Sequence, residues 1–137
     1  MEENKKYRLT DETVVFLGST LYRIEALRDF ANVKAGDKGG YIEKENNLSH
    51  DGDAWVCGDA RVYGDARVYD NADYIVFKNW WSSGRYFTWT RSNNKWKVGC
   101  FYGTGEELIA KACKDSEKSG REYERVVRYV ESILKNE

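Results

Sequence analysis

Residues 52–75 read Gly52-Asp53-Ala54-Trp55-Val56-Cys57, Gly58-Asp59-Ala60-Arg61-Val62-Tyr63, Gly64-Asp65-Ala66-Arg67-Val68-Tyr69 and Asp70-Asn71-Ala72-Asp73-Tyr74-Ile75. These are four consecutive hexads, two of them identical. Ala54, Ala60, Ala66 and Ala72 form one column, and Val56, Val62, Val68 and Tyr74 form a second. A fixed period over successive units marks a repeat architecture. Gly-Asp supplies its corners, where positive φ or an Asx-type hydrogen bond is wanted. The frame extends weakly upstream: Ile42 and Leu48 fall in the alanine column and His50 in the valine column.

The pattern resembles the hexapeptide repeat of left-handed parallel β-helices, in which three hexads make one triangular coil. The resemblance implies a mini left-handed β-helix over residues 42–76, just short of two coils. Small alanines are needed where three walls converge. Repeat arrays need capping ends, so a solenoid this short must be covered by flanking segments or by another subunit. A closed homo-oligomer is expected, a trimer or a hexamer built from trimers.

On the N-terminal side, Tyr7–Thr10, Thr13–Leu17 and Leu21–Leu27 read as strands separated by Asp11-Glu12 and Gly18-Ser19 turns. Gly36-Asp37-Lys38-Gly39-Gly40 leads into the first coil. Beyond the repeat, Arg85–Thr90 and Lys95–Cys100 alternate around Arg91-Ser92-Asn93-Asn94, as a hairpin does. Thr104 and Glu107 form a capping box for a helix running to about Lys114. A second helix, about 121–135, places Tyr123, Val126, Val127, Val130, Ile133 and Leu134 on one stripe. The expected fold class is a mixed, β-rich α+β domain. N-terminal strands (1–41) precede the hexapeptide-repeat β-helix (42–76), an aromatic basic hairpin (77–103) and a helical tail (104–137).

The chain has 137 residues, about one domain's worth, and 22 Lys+Arg against 23 Asp+Glu. That balance excludes a polybasic membrane binder or a nucleic-acid mimic, and no run is long and apolar enough to span a bilayer. Met1–Lys6 has no apolar h-region, so no secretory signal is expected. Three scattered cysteines and one histidine argue against a disulfide framework or a structural zinc site. The simplest compartment is the cytoplasm.

The neutral total conceals an asymmetry. Residues 74–102 hold 10 of the 20 aromatics and five bases (Lys78, Arg85, Arg91, Lys95, Lys97) but no acid. That segment is +5, leaving −6 for the remainder of the net −1. Aromatic faces stack on nucleobases, and arginine adds cation–π and phosphate contacts. Trp80, Trp81, Phe87 and Trp89 are the candidate stackers, and Arg85 and Arg91 candidate anion clamps. Any one of these rings has a plainer use as core, but a core does not require acid to be absent. On the second helix Arg121, Arg125 and Arg128 share the face opposite the apolar stripe. Arg121 and Arg125 are further candidate clamps, suited to bidentate anion recognition, although a solvated face is the ordinary fate of such charges.

No nucleophile elbow, HExxH or Walker loop is present. His50, the one candidate for acyltransferase chemistry of the kind some hexapeptide β-helices perform, sits where it would cap the core. Asp53, Asp59 and Asp65 would stack along one corner, better suited to turn-forming hydrogen bonds than to a calcium ladder. The reading assigns no catalytic residue, metal or cofactor.

Leu27-Arg28-Asp29-Phe30, Gly36-Asp37-Lys38-Gly39-Gly40-Tyr41-Ile42-Glu43 and the repeated hexads resemble small phage and prophage proteins whose GNARVYG-type hexads vary in number. The segment from Gly99 to Leu108 is similar to one at the ends of those proteins. Size, mixed build and the late Arg-x-x-x-Arg are similar to phage anti-Thoeris and anti-CBASS sponge proteins. That likeness implies a non-catalytic anti-defence protein of the infected bacterial cell that sequesters a cyclic nucleotide immune signal, with no membrane or long nucleic acid as partner. A direct protein inhibitor of a host effector and a structural or sugar-binding module are the alternatives. A hexapeptide acyltransferase is a more distant one.

Overall fold

A computed structural model describes residues 5–16, 18–58 and 60–136. Three expectations touch positions outside them: the Met1–Lys6 reading in its first four residues, Leu17 at the end of an expected strand, and Asp59 of the aspartate corner.

Two four-stranded sheets and two helices build the chain. The first sheet comprises β1 (Tyr7–Phe16), β2 (Ser19–Ala26), β3 (Lys38–Ile42) and β4 (Arg61–Val62), in that order. β1–β2 and β2–β3 are antiparallel, whereas β3–β4 is parallel. The two short N-terminal strands expected from sequence are one continuous β1. Asp11-Glu12 is not a turn but part of a register shift between Leu9 and Thr13. The Thr10 hydroxyl donates to the Arg23 carbonyl (2.7 Å) and Glu12 pairs with the Arg23 guanidinium (2.9 Å), so the bulge stays attached to β2.

The hexads lie on the segment preceding them. Tyr41 pairs with Arg61, Ile42 with Val62 and Leu48 with Val68, all parallel and all 20 residues apart. Ile42, Leu48, Ala54, Ala60 and Ala66, five members of the alanine column, are buried in one core with Val56, Val62, Val68 and Tyr74. Ala72 departs from its column and is exposed. Gly52, Gly58 and Gly64 turn their corners with φ of +71°, +61° and +67°. The fourth hexad has Asp70 at the glycine position, and its φ is −149°. There Asp70 accepts the Ala72 N–H (2.9 Å) and starts a single 3-10 turn, Asn71–Asp73, which carries the chain out of the stack.

Asn47, fully buried, fastens the two levels. Its Oδ1 accepts the N–H groups of Glu43 (3.1 Å) and Lys44 (2.9 Å). Its Nδ2 donates to the carbonyls of Gly64 (3.0 Å) and Ala66 (2.8 Å) on the level above. His50 closes one end: its ring stacks on Tyr7 at 4.1 Å, its Nδ1 accepts the Lys6 N–H, and its Nε2 meets Glu45 at 2.8 Å.

The second sheet is an antiparallel meander of β5 (Tyr74–Lys78), β6 (Tyr86–Thr90), β7 (Lys95–Val98) and β8 (Phe101–Gly103). The expected hairpin is its centre. Phe87, Trp89 and Trp96 do not cap the hexads; they form a second core with the helices α1 (Gly105–Asp115) and α2 (Glu117–Lys135). Thr104 and Glu107 make the capping box read from sequence. α2 begins four residues earlier than expected because the Ser116 hydroxyl accepts the Ser119 N–H (3.0 Å). The other face of this sheet meets the hexads, where Thr88 Oγ1 accepts the Arg61 N–H (3.1 Å) and Ser92 Oγ the Arg67 N–H (2.7 Å).

Two substitutions test the stacking. Asn47→Ala removes four side-chain hydrogen bonds, three part-buried and one buried, and should cost ~2 kcal/mol in urea denaturation. A methyl at Gly40 would stand 2.6 Å from the Ala60 carbonyl oxygen, so Gly40→Ala should cost ~1–3 kcal/mol. Wild-type denaturation midpoints in both variants would refute this account of how the levels join.

Candidate functional site

Strand alternation in β6 sends Phe87 and Trp89 to the helices and Thr88 to the opposite face, and β7 places Lys97 directly across from Thr88. Arg61, the outward residue of the second hexad, arrives on β4 and bonds Thr88 through its backbone. Two turns complete the walls. Asn79 and Gly84 close one (Gly84 N–H to Asn79 carbonyl, 2.8 Å), delivering Arg85. Gly99, with φ of +54°, makes the other between β7 and β8.

Together Arg61, Gly84, Arg85, Tyr86, Thr88, Lys97 and Gly99 line a cavity of about 440 Å³. Three of the seven are cations and none is an acid. Lys97 is only 5 % exposed, and its ammonium donates to the Gly99 carbonyl at 2.5 Å. Burial pushes its pKa down to about 8; the Arg61 charge adds to the fall and Cys100 opposes it. The Arg61 guanidinium lies over the Tyr41 ring at 5.4 Å. A second cavity, about 320 Å³, shares Arg85, Tyr86 and Gly99 and extends towards Ser82, Ser119 and Tyr123.

Burial and the nearby Arg61 charge both disfavour the charged Lys97, a cost that an incoming anion would offset. The arrangement therefore suits a phosphate or carboxylate, with the hydroxyls of Thr88 and Tyr86 beside it.

Of the eight residues expected to bind ligand, only Arg85 lines this cavity. Phe87 (2 % exposed) and Trp89 (0 %) have no free face, because the helices cover them. Trp81 is half-buried, its Nε1 donating to Ser119 Oγ (3.2 Å) and its ring edge-on to Tyr123 at 4.9 Å. Trp80 is exposed, with the Lys118 ammonium 5.7 Å from its ring centre. Arg91 ties the meander to the end of the hexads, donating to the Ala72 carbonyl at 3.1 Å. Arg125 pairs with Glu122 at 3.0 Å, and Arg121 approaches the same carboxylate at 3.8 Å. Arg128 contacts Glu106, Glu124 and Glu131. The arginine stripe of α2 is thus matched by carboxylates on α1 and α2.

No protein-family model matches the chain, and no curated protein matches it. The site's chemistry rests on its own residues.

Sequence reasoning passed over Arg61 and Lys97. Lys97 was counted in the acid-free segment, and Arg61 occupies the variable outward position of a hexad. What joins them is the contact between β4 and β6.

Because the folded pKa of Lys97 (about 8) lies below its ordinary 10.5, the unfolded chain holds more protons between those values. Lys97 therefore makes stability rise with pH across that window, and its burial penalty is fully present below it. Lys97→Met should be more stable than wild type at pH 7, with the difference shrinking by pH 10, measured by urea denaturation at both. An equal difference at the two pH values would contradict the assignment.

Proposed function

We propose that this protein is a non-catalytic binder that sequesters a phosphate-bearing nucleotide in the Arg61–Arg85–Lys97 cavity. The observation carrying the reading is that three cations converge on a pocket whose described lining residues include no acid. Tyr86, half exposed on the wall shared by the two cavities, offers a ring face to a base. Phosphate would sit between Arg61 and Lys97, and the nucleoside would extend past Tyr86. The phage resemblance of the hexads makes a cyclic nucleotide immune signal the ligand class to try first, and anti-defence sequestration the role. The same resemblance supports a left-handed coil for the hexads.

Calorimetry against cyclic dinucleotides, cyclic trinucleotides and cyclic ADP-ribose isomers tests this. A ligand should bind at micromolar or tighter concentration and come back unchanged after the protein is denatured by heat. Arg61→Ala should weaken it by ~2 kcal/mol or more, and the exposed Arg85 less, by ~1 kcal/mol. Affinity should fall as salt rises. Hydrolysed ligand would make the protein an enzyme. Salt-independent binding would favour a sugar-binding module, and a stable complex with a host protein alone would favour a direct inhibitor.

The reading includes assembly as a trimer or hexamer, as expected for so short a coil. Light scattering should return three or six times the 15.9 kDa chain mass, and a monomeric mass would remove that part of it.

A further inference from the structure

We propose that the second cavity reads the base of the bound nucleotide and selects guanine over adenine, through the hydroxyl donors of Tyr123 and Ser119 and the carboxylate of Asp115. The proposal rests on the anion-site reading above and adds to it the identity of the ligand's other end.

At about 320 Å³ this cavity has room for a purine. Arg85, Tyr86 and Gly99 line both it and the anion site, so one mononucleotide can occupy the two together. Tyr123 of α2 is 8 % exposed, its ring edge-on to Trp81 at 4.9 Å and to Phe87 at 5.1 Å. Its hydroxyl oxygen accepts Asn79 Nδ2 at 3.1 Å. Asn79 is itself fixed, because its Oδ1 accepts the Ser82 backbone N–H (2.9 Å) and hydroxyl (3.1 Å). Ser119 lies one turn earlier on the same face of α2, and its Oγ accepts the Trp81 indole N–H at 3.2 Å.

Each of the two hydroxyls thus has a nitrogen donor on its oxygen and its own hydrogen left to give. No acceptor for either hydrogen occurs among the described residues. Burial pushes the Tyr123 hydroxyl pKa upward, so it keeps the proton it would donate. Asp115, at the end of α1, has the opposite sense. It takes Lys111 at 3.1 Å, lines the same cavity, and its ionised carboxylate can only accept.

Two donors beside one acceptor match a single edge of guanine, where O6 accepts while N1–H and the 2-amino group donate. Adenine places an amino group where guanine has O6, and a bare nitrogen where guanine has N1–H. Donor would then meet donor, and acceptor would meet acceptor. A site built to hydrogen-bond one edge rejects the analogue lacking it, since its own buried groups are left unpaired. Tyr86, half exposed, supplies the stacking face.

Amide chemical-shift titrations with guanosine, adenosine and inosine 5′-monophosphates and with ribose 5-phosphate test this. The guanosine nucleotide should bind about tenfold or more tighter than the adenosine one. The inosine nucleotide, which keeps O6 and N1–H but lacks the 2-amino group, should fall between them. Tyr123→Phe keeps the ring and should remove most of the preference while leaving ribose 5-phosphate affinity unchanged. Ser119→Ala should lower the preference without altering the ring's neighbours, and Asp115→Ala should weaken the guanosine nucleotide more than the adenosine one. Equal binding of the two purines, or a preference that survives both Tyr123→Phe and Ser119→Ala, overturns base selection and leaves the anion site standing. Nucleotides that bind no tighter than ribose 5-phosphate overturn it too, because the second cavity then holds no base. If none of the four probes binds, the anion-site reading falls with it.

Discussion

Asn47 is where the chain is forced into two levels. A buried primary amide has two donors and two acceptor sites, and in an apolar surround each needs a partner. Here the four partners are two amides of its own level and two carbonyls of the level above. The contact works only at a 20-residue offset, which is the offset of every parallel pair between the levels. Shifting the hexads by one residue would break these bonds and also rotate the valine column out of the core. Apolar packing sets the inward face; the amide sets the register.

That register determines what the outward residues meet. With Ile42 opposite Val62, Arg61 must stand on the outer wall facing β6, and its backbone N–H is taken by Thr88. The meander has its own constraint: Phe87, Trp89 and Trp96 are claimed by the helices, so alternation leaves Thr88 and Lys97 on the side facing Arg61. Neither lysine nor arginine had to be selected locally for proximity. Two independently packed cores bring them together at a shared seam, to which residues 74–102 contribute bases and no acid.

The hexad columns were legible because each position repeats a physical demand: glycine for a positive-φ corner, alanine and valine for a narrow interior. The same logic locates the end of the array. Asp70 in place of glycine was visible, yet alanine at position 72 kept the column in frame, and the frame alone does not reveal that the corner has been lost. The capping box at Thr104 was readable since both partners lie within one turn. Ser116 does the same work for α2, but its neighbours lack the reciprocal acid at the third position. The expected ligand residues of the 74–102 segment were harder to place, for a different reason. Aromatic and basic side chains in one segment alternate between two faces of a sheet, so compositional clustering merges residues that the fold separates. Phe87 and Trp89 went to one side, and Lys97 to the other.

This separation also explains why the α2 arginines are poor partners for the cavity. Arg121 and Arg125 share Glu122, a largely buried carboxylate, and Arg128 gathers three more from its own and the neighbouring helix. A phosphate approaching them would have to displace carboxylates already in place, gaining only the difference between two anions. At Arg61 and Lys97 none of the described lining residues is a carboxylate, so an anion there meets less competition than on the helix stripe. Charge count alone would rank the helix stripe and the cavity as equals. The presence or absence of a competing acid separates them, and it favours the seam between the two cores.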